Sequence, residues 1–126
     1  MRSPRMAAIL IALVLASCAT ALPPAVRVTD LKGLAGTYSG TMNEASRLTR
    51  PARIVVQGDG RFEITVAAPG GFRTTGLLVL EPDGTLSYEY DTIKGKGVVY
   101  EGDDRRVIIL NSAGGSATTN VVRRLP

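Results

Sequence analysis

The chain has 126 residues, a formal net charge of +4 and 44% hydrophobic residues, so it is long enough for one domain with its own core. It contains no histidine, no tryptophan and one cysteine, which removes the commonest general base and metal ligand and excludes an internal disulfide. The charge is too small and too dispersed to favour nucleic-acid binding. We therefore expect a protein that is not an enzyme, with no cofactor, no metal site and no nucleic-acid partner.

The amino terminus combines a basic start with a short apolar run. Arg2 and Arg5 precede residues 6–16, which are eleven uncharged and mostly apolar residues. A membrane-spanning helix needs about 20 such residues, so this run is too short to cross a bilayer. A basic segment followed by an apolar segment of this length is typical of a secretory signal, and we predict a signal peptide over residues 1–17.

The apolar run ends in an aliphatic residue and two small residues before the only cysteine, Leu15-Ala16-Ser17-Cys18. This stretch resembles the lipobox of bacterial lipoproteins. The resemblance implies cleavage before Cys18, a diacylglyceryl group on its sulfur, and a further fatty chain such as palmitate on the freed amine. The alternative is an ordinary signal peptide with Cys18 as a bystander, because Ala19-Thr20-Ala21 also offers a cleavage site.

Residues 18–29 are predicted to be the lipidated cysteine and a tether. Pro23-Pro24 would stiffen the tether by restricting the backbone to extended conformations. In lipoproteins of bacteria with two membranes, Asp directly after the cysteine favours retention in the inner membrane, and this chain has Ala19 there. The resemblance therefore implies a lipid-anchored protein of the cell envelope, at the outer membrane and facing the periplasm.

Residues 30–126 are predicted to form one antiparallel β domain. Leu86, Tyr88 and Tyr90 alternate with polar residues, and such a period of two marks half-buried strands. Three stretches, 55–62, 79–86 and 99–106, share a turn pattern of Gly or Pro, then Asp, then Gly or Asp, which predicts three hairpins. Eight strands follow, at 36–42, 52–57, 61–67, 72–80, 84–90, 96–101, 105–110 and 118–124. They predict a small all-β, up-and-down meander, closed or partly open as a barrel, with a β-sandwich as the alternative.

Residues 28–40 carry a second resemblance. Gly36-Thr37-Tyr38 is similar to the Gly-x-Trp of lipocalin-type barrels, in which a short helical turn precedes the first strand. This resemblance implies a barrel fold and does not by itself establish function. Tyr38, Tyr88 and Tyr90 are candidates for lining a small ligand pocket, although we favour the interpretation that they fill a narrow barrel.

Three other patterns are weaker. Residues 94–97, Lys-Gly-Lys-Gly, are predicted to be a hairpin turn, because they lack the spacing and the following helix of a phosphate-binding loop. Gly76, inside a strand, is predicted to mark a bulge or a sharp bend. The basic residues could contact anionic lipid headgroups, but scattered solubilising charges are the interpretation we favour. They are Arg47, Arg50, Arg53, Arg105, Arg106, Arg123 and Arg124.

Two hypotheses about function follow from these predictions. In the first, a membrane-anchored, non-catalytic β domain acts as an interaction or structural module for an envelope protein partner. In the second, the domain is a lipocalin-like carrier of a small apolar ligand. A filled interior would favour the module, whereas a cavity above about 300 Å³ would favour the carrier.

Overall fold

The computed structural model describes residues 22–44, 49–68, 70–115 and 117–125, so the predicted signal peptide and Cys18 lie outside the described residues. Within the described residues the chain forms nine strands and one short 3₁₀ helix, Leu31–Leu34. The strands are β1 (Ala25–Val26), β2 (Gly36–Glu44), β3 (Thr49–Val56), β4 (Arg61–Val66), β5 (Phe72–Leu80), β6 (Leu86–Tyr90), β7 (Ile93–Glu101), β8 (Arg105–Ser112) and β9 (Ala117–Arg124).

Strands β2 to β9 form a closed antiparallel barrel. Each strand pairs with the next one along the chain, and β9 pairs back with β2, with Ser39 opposite Val122 and Glu44 opposite Ala117. Closure gives the long edges of all eight strands a partner, which removes the exposed edges that an open sheet presents. The predicted eight-strand meander is confirmed, in its closed form and not as a sandwich.

Strand β1 completes the pairing of β7. Strand β6 is short and pairs only with residues 93–97 of β7, whereas Ala25 and Val26 pair with Tyr100 and Val99 further along it. The backbone N–H of Glu101 also donates to the carbonyl oxygen of Pro24 at 3.0 Å. Residues 24–26 of the predicted tether therefore lie against the barrel wall.

The repeated turns form the connections at one end of the barrel. In the first, the N–H of Gly60 donates to the carbonyl of Gln57 at 3.0 Å, and Gly60 has a left-handed backbone with φ of 94°. In the second, Gly84 donates to Glu81 at 2.9 Å and has φ of 86°. These features fit a type I turn followed by a left-handed glycine, and both turns join hairpins that the sequence predicts. Because hairpin connections alternate between ends, the turns β3–β4, β5–β6 and β7–β8 share one end, which also holds the start of β2.

One local prediction is wrong, and of another the bulge is excluded. Residues 94–97 lie inside strand β7, and the turn before it is at 91–92, where Asp91 has φ of 50°. Gly76 pairs one-to-one with Phe62 on β4 and with Tyr90 on β6, so there is no bulge. The glycines serve packing instead. A Cβ on Gly76 would lie 2.5 Å from the Phe62 ring, and one on Gly95 would lie 2.7 Å from the Tyr88 ring.

Large side chains from alternate strand positions fill the middle of the barrel. The Phe62 and Tyr90 rings meet edge to face over Gly76, with centroids 6.3 Å apart. Side chains that point into the interior and are less than 2% exposed come from strands β2, β4, β6, β8 and β9. They are Tyr38, Met42, Phe62, Ile64, Leu86, Ile108 and Val121. An eight-stranded barrel is just wide enough for side chains to occupy its interior, and this packing forms the core.

Candidate ligand site at the open end of the barrel

The 3₁₀ helix closes the end of the barrel that carries the repeated turns. Asp30 caps it, since its carboxylate accepts a hydrogen bond from the Lys32 N–H at 2.9 Å. Leu34, only 4% exposed, joins the core, and its carbonyl oxygen accepts a hydrogen bond from the Tyr38 hydroxyl at 2.8 Å. Tyr38 is fully buried. This candidate pocket residue therefore binds the helix that closes the barrel.

Two arginines hold the neighbouring carbonyl oxygens of the same helix. Arg106 donates to the carbonyl of Gly33 at 2.6 Å, and Arg123 donates to that of Ala35 at 2.5 Å. Arg106 also forms an ion pair with Glu101 at 2.5 Å. Burial lowers the pKa of Arg106, but hydrogen bonds with the Tyr38 hydroxyl and with Glu101 outweigh this effect and raise the pKa overall. The carbonyls that a helix end leaves without intrahelical partners are thus satisfied, and these bonds hold the helix across this end of the barrel.

An aromatic column leads from the middle of the barrel to the other end. Tyr88 and Tyr90 are stacked with ring centroids 6.1 Å apart, and Tyr90 stacks in turn on Phe72 at 6.2 Å. Tyr88 and Tyr90 are 4% and 5% exposed. Of the three predicted pocket tyrosines, Tyr90 is the one that reaches the open end. Tyr38 lies at the closed end, and Tyr88 lies between them.

Burial raises the pKa of Tyr88 to about 12, with a smaller contribution from Tyr90. An unfolded tyrosine loses its proton near pH 10, so between about pH 10 and 12 the folded state binds more protons than the unfolded state. We therefore expect the free energy of unfolding to fall as the pH rises through this range. Urea unfolding at successive pH values measures this slope. It should be shallower in Tyr88→Phe, and an unchanged slope in that variant would contradict the assignment.

A cavity of about 410 Å³ opens at the end opposite the 3₁₀ helix. Its apolar wall is formed by Met42, Phe72, Tyr90 and Ile93. Its polar wall contains the carboxylate of Glu44, the backbone of Gly70 and the guanidinium of Arg50. Arg50 occupies an inward position of β3 and is only 5% exposed. We call this cavity the mouth.

Polar contacts hold Arg50 inside the mouth. Its Nη2 forms an ion pair with the Glu44 carboxylate, and its Nη1 donates to the carbonyl oxygen of Gly70. Its guanidinium carbon lies 5.9 Å from the centroid of the Phe72 ring, a distance at which the ring attracts a cation. The mouth thus combines an apolar wall with one buried cation, and such a combination is typical of sites for small molecules.

Among the described residues, two hollows are larger than the mouth. One, of about 530 Å³, lies beside Val79, Tyr88 and Lys96, and the other, of about 700 Å³, is a groove on the outer face of β4, β5 and β6. Glu63 and Glu89 line the groove and form exposed ion pairs, which contribute little to binding. Unlike either larger hollow, the mouth has a buried cation in its wall, Arg50, and this makes it the stronger candidate for a ligand site.

The basic residues considered for a lipid-binding patch do not form one face among the described side chains. Arg50 points into the barrel, whereas Arg53 is exposed on the outer side of the same strand. Arg106 and Arg123 bind carbonyls at the opposite end. The sequence analysis missed Arg50 as a site residue because the predicted strand began at residue 52. Extending the alternation of Ala52, Ile54 and Val56 back by two positions would have placed it inside.

Comparisons of the chain with protein-family models, with curated proteins and with solved structures found no match. Within the described ranges, no helix is both long enough and apolar enough to cross a bilayer. In the same part of the chain, no three Asp, Glu, Cys or His side chains lie close enough together to hold a metal ion.

Proposed function

We propose that this protein is a lipid-anchored component of the bacterial cell envelope, in which fatty chains on Cys18 hold a small non-catalytic barrel at the membrane surface. The basic start, the short apolar run and the motif Leu15-Ala16-Ser17-Cys18 support the anchor. One acyl chain binds a membrane weakly and reversibly, whereas two or three hold firmly. The barrel then acts as an interaction or structural module for an envelope protein partner.

The filled middle of the barrel is the observation that best supports the interaction-module function. Tyr38, Phe62, Ile64 and Leu86 occupy the interior and are at most 2% exposed. A ligand buried deep in the barrel would have to displace these side chains, and emptying such a core is costly. The outer surface and the mouth are therefore the parts of the domain available to a partner.

The short link between the anchor and the barrel supports a fixed orientation. Pro24 already bonds to β7, so five residues lie between it and Cys18. Fully extended, this link spans about 20 Å from the Cα of Cys18 to that of Pro24. On this proposal the closed end faces the membrane, and the mouth points away from it toward the periplasm, where a partner or ligand would reach it.

Replacing the lipidated residue tests the anchor directly. We expect Cys18→Ala to abolish acylation, so that the protein loses its fatty-acid mass and stays unprocessed or leaves the membrane fraction. The matched control is Ser17→Ala, which keeps a small residue in the motif and should be processed and anchored normally. Mass spectrometry of the purified protein and membrane fractionation provide the two measurements. A wild-type protein whose amino terminus is not Cys18, or that carries no fatty-acid mass, would contradict the proposal.

The mouth favours a second candidate function, that of a carrier for a small ligand. Its volume of about 410 Å³ lies within the range of small-molecule sites, and part of its wall is apolar. Native purification followed by mass spectrometry tests the two functions together. A bound small molecule would support the carrier, whereas a ligand-free protein that crosslinks in intact cells to one defined partner would support the module.

A further inference from the structure

The burial of Arg50 costs desolvation free energy, which suggests that this side chain has a role besides stability. Taking a guanidinium out of water carries a desolvation penalty, and an apolar side chain of similar size is often more stabilising at such a place. At the closed end, Arg106 and Arg123 have an evident structural role, because each satisfies a helix carbonyl. Arg50 also donates to a carbonyl, that of Gly70, but it pairs in addition with a carboxylate at the rim of a cavity. It lies in the wall of the mouth, beside the Phe72 ring.

The carboxylate that neutralises Arg50 is less buried than Arg50 itself. The Glu44 side chain is 33% exposed, whereas the Arg50 side chain is 6% exposed. Glu44 is the last residue of β2 and lies at the rim of the mouth. If Glu44 turned outward, its carboxylate would regain water at little cost, whereas Arg50 would need another anion in its place. The two partners of the ion pair therefore differ. Arg50 is held inside the cavity, whereas the carboxylate of Glu44 can be replaced there by the carboxylate of a ligand.

The side chains around the guanidinium indicate which kind of ligand could bind beside it. Phe72 lies 5.9 Å from the Arg50 guanidinium carbon, and Tyr90 stacks behind Phe72. Met42 and Ile93 line the same cavity. A ligand that placed an acidic group on Arg50 would bury an adjoining apolar segment against these side chains. Burying such a segment is favourable because it removes apolar surface from water.

We propose that the mouth binds a small amphipathic carboxylate, whose acidic group takes the place of the Glu44 carboxylate on Arg50 and whose apolar part lies against Phe72, Tyr90 and Met42. This inference rests on the second candidate function and adds the chemical class of the ligand. Glu44 acts as an internal competitor, since it occupies Arg50 while the site is empty and lowers the apparent affinity for the ligand.

If Glu44 competes with the ligand for Arg50, removing the Glu44 charge raises the affinity for the ligand. A purely structural ion pair predicts no such gain. The probe is hexanoate, added to the full protein purified in a non-ionic detergent, and its controls are neutral hexan-1-ol and cationic hexylammonium. Binding is followed by the ¹³C-methyl NMR signal of Met42, which lies in the wall of the mouth and is assigned with Met42→Leu. Met1 and Met6, the other two methionines, lie in the predicted signal peptide. Detergent without protein corrects for partition of the probe.

We expect hexanoate to shift the Met42 signal and hexylammonium to leave it unchanged. Glu44→Gln should raise the affinity for hexanoate about tenfold, because it removes the competing charge and keeps the shape of the side chain. Arg50→Met should lower the affinity by at least about tenfold. If Arg50→Met fails to fold, Glu44→Gln alone decides, since a structural ion pair predicts lower stability without any gain in affinity.

The outcomes separate this inference from the functions on which it rests. Equal binding of hexanoate and hexan-1-ol, insensitive to Arg50→Met, would overturn the carboxylate class and leave the carrier standing. Failure of all three probes to shift Met42 would overturn both the inference and the carrier, whereas the lipid anchor would be unaffected. If hexanoate binds but its affinity is no higher in Glu44→Gln than in the wild type, Glu44 does not compete with the ligand.

Discussion

Tyr38→Ala is expected to lower the free energy of unfolding by about 3–5 kcal/mol, the range for removing a large buried aromatic side chain. Tyr38 is fully buried, and its hydroxyl bonds to the carbonyl of Leu34 in the 3₁₀ helix. The substitution therefore empties the core next to the closed end and removes one of the contacts that hold the helix there. Urea unfolding followed by far-ultraviolet circular dichroism measures the loss.

The matched control is Tyr38→Phe, which keeps the ring and removes only the hydroxyl. It should cost about 1–2 kcal/mol, because the carbonyl of Leu34 loses its donor in a buried place. Arg106, which also donates to the Tyr38 hydroxyl at 3.3 Å, loses a partner in both variants. Equal stability of Tyr38→Phe and the wild type would show that the hydrogen bond does not secure the closed end. A small loss in Tyr38→Ala would show that the ring is not part of the core.

Gly40→Ala is expected to destabilise the barrel by about 3 kcal/mol or more, at the upper end of the range for overpacked sites. Gly40 lies opposite Val121 where β2 and β9 close the barrel. A Cβ there would lie 1.9 Å from the carbonyl oxygen of Asn120 and 2.8 Å from the Cα of Val121. These are backbone atoms, so the two strands would have to separate. Urea unfolding gives the stability, and amide hydrogen exchange should show the loss of protection in β2 and β9 first.

Gly33→Ala provides the control for Gly40→Ala. Gly33 is exposed in the 3₁₀ helix, and a Cβ there would meet no atom within 4 Å. Its effect should stay within about 0.5 kcal/mol, as for surface substitutions away from special features. If Gly40→Ala proved as mild as Gly33→Ala, or if exchange rose uniformly over the barrel, the close approach of β2 and β9 would not be what requires glycine.

The two ends of this barrel differ in chemistry. At the closed end, Arg106 and Arg123 donate hydrogen bonds to carbonyls at the end of the 3₁₀ helix. At the open end, Arg50 faces a cavity and shares its charge with a partly exposed carboxylate. If the anchor at Cys18 forms as proposed, the closed end lies toward the membrane, and the mouth with Arg50 and Glu44 faces away from it. A ligand of the mouth would then enter from the side that faces away from the membrane.

Part of the candidate site follows from the sequence. Tyr90 is predicted to point inward because Leu86, Tyr88 and Tyr90 alternate with polar residues, and the structure buries all three. Arg50 was missed because it precedes the predicted strand, which begins at residue 52, and a charged residue outside a strand is ordinarily solvated. The meeting of Met42, Arg50 and Phe72, from strands β2, β3 and β5, depends on how the barrel curves. No short stretch of sequence contains that curvature.

The sequence by itself determined the all-β class, the eight strands of the barrel and the hairpin order, but not the added strand β1, because turn chemistry and a period of two act over a few neighbouring residues. Gly60 and Gly84 mark their turns by a conformation that glycine adopts without steric cost. Only the tertiary structure decided that β9 closes onto β2, that residues 94–97 belong to a strand, and that Arg50 lies inside. These features depend on the combined twist and register of eight strands, and twist and register are properties of the assembled barrel.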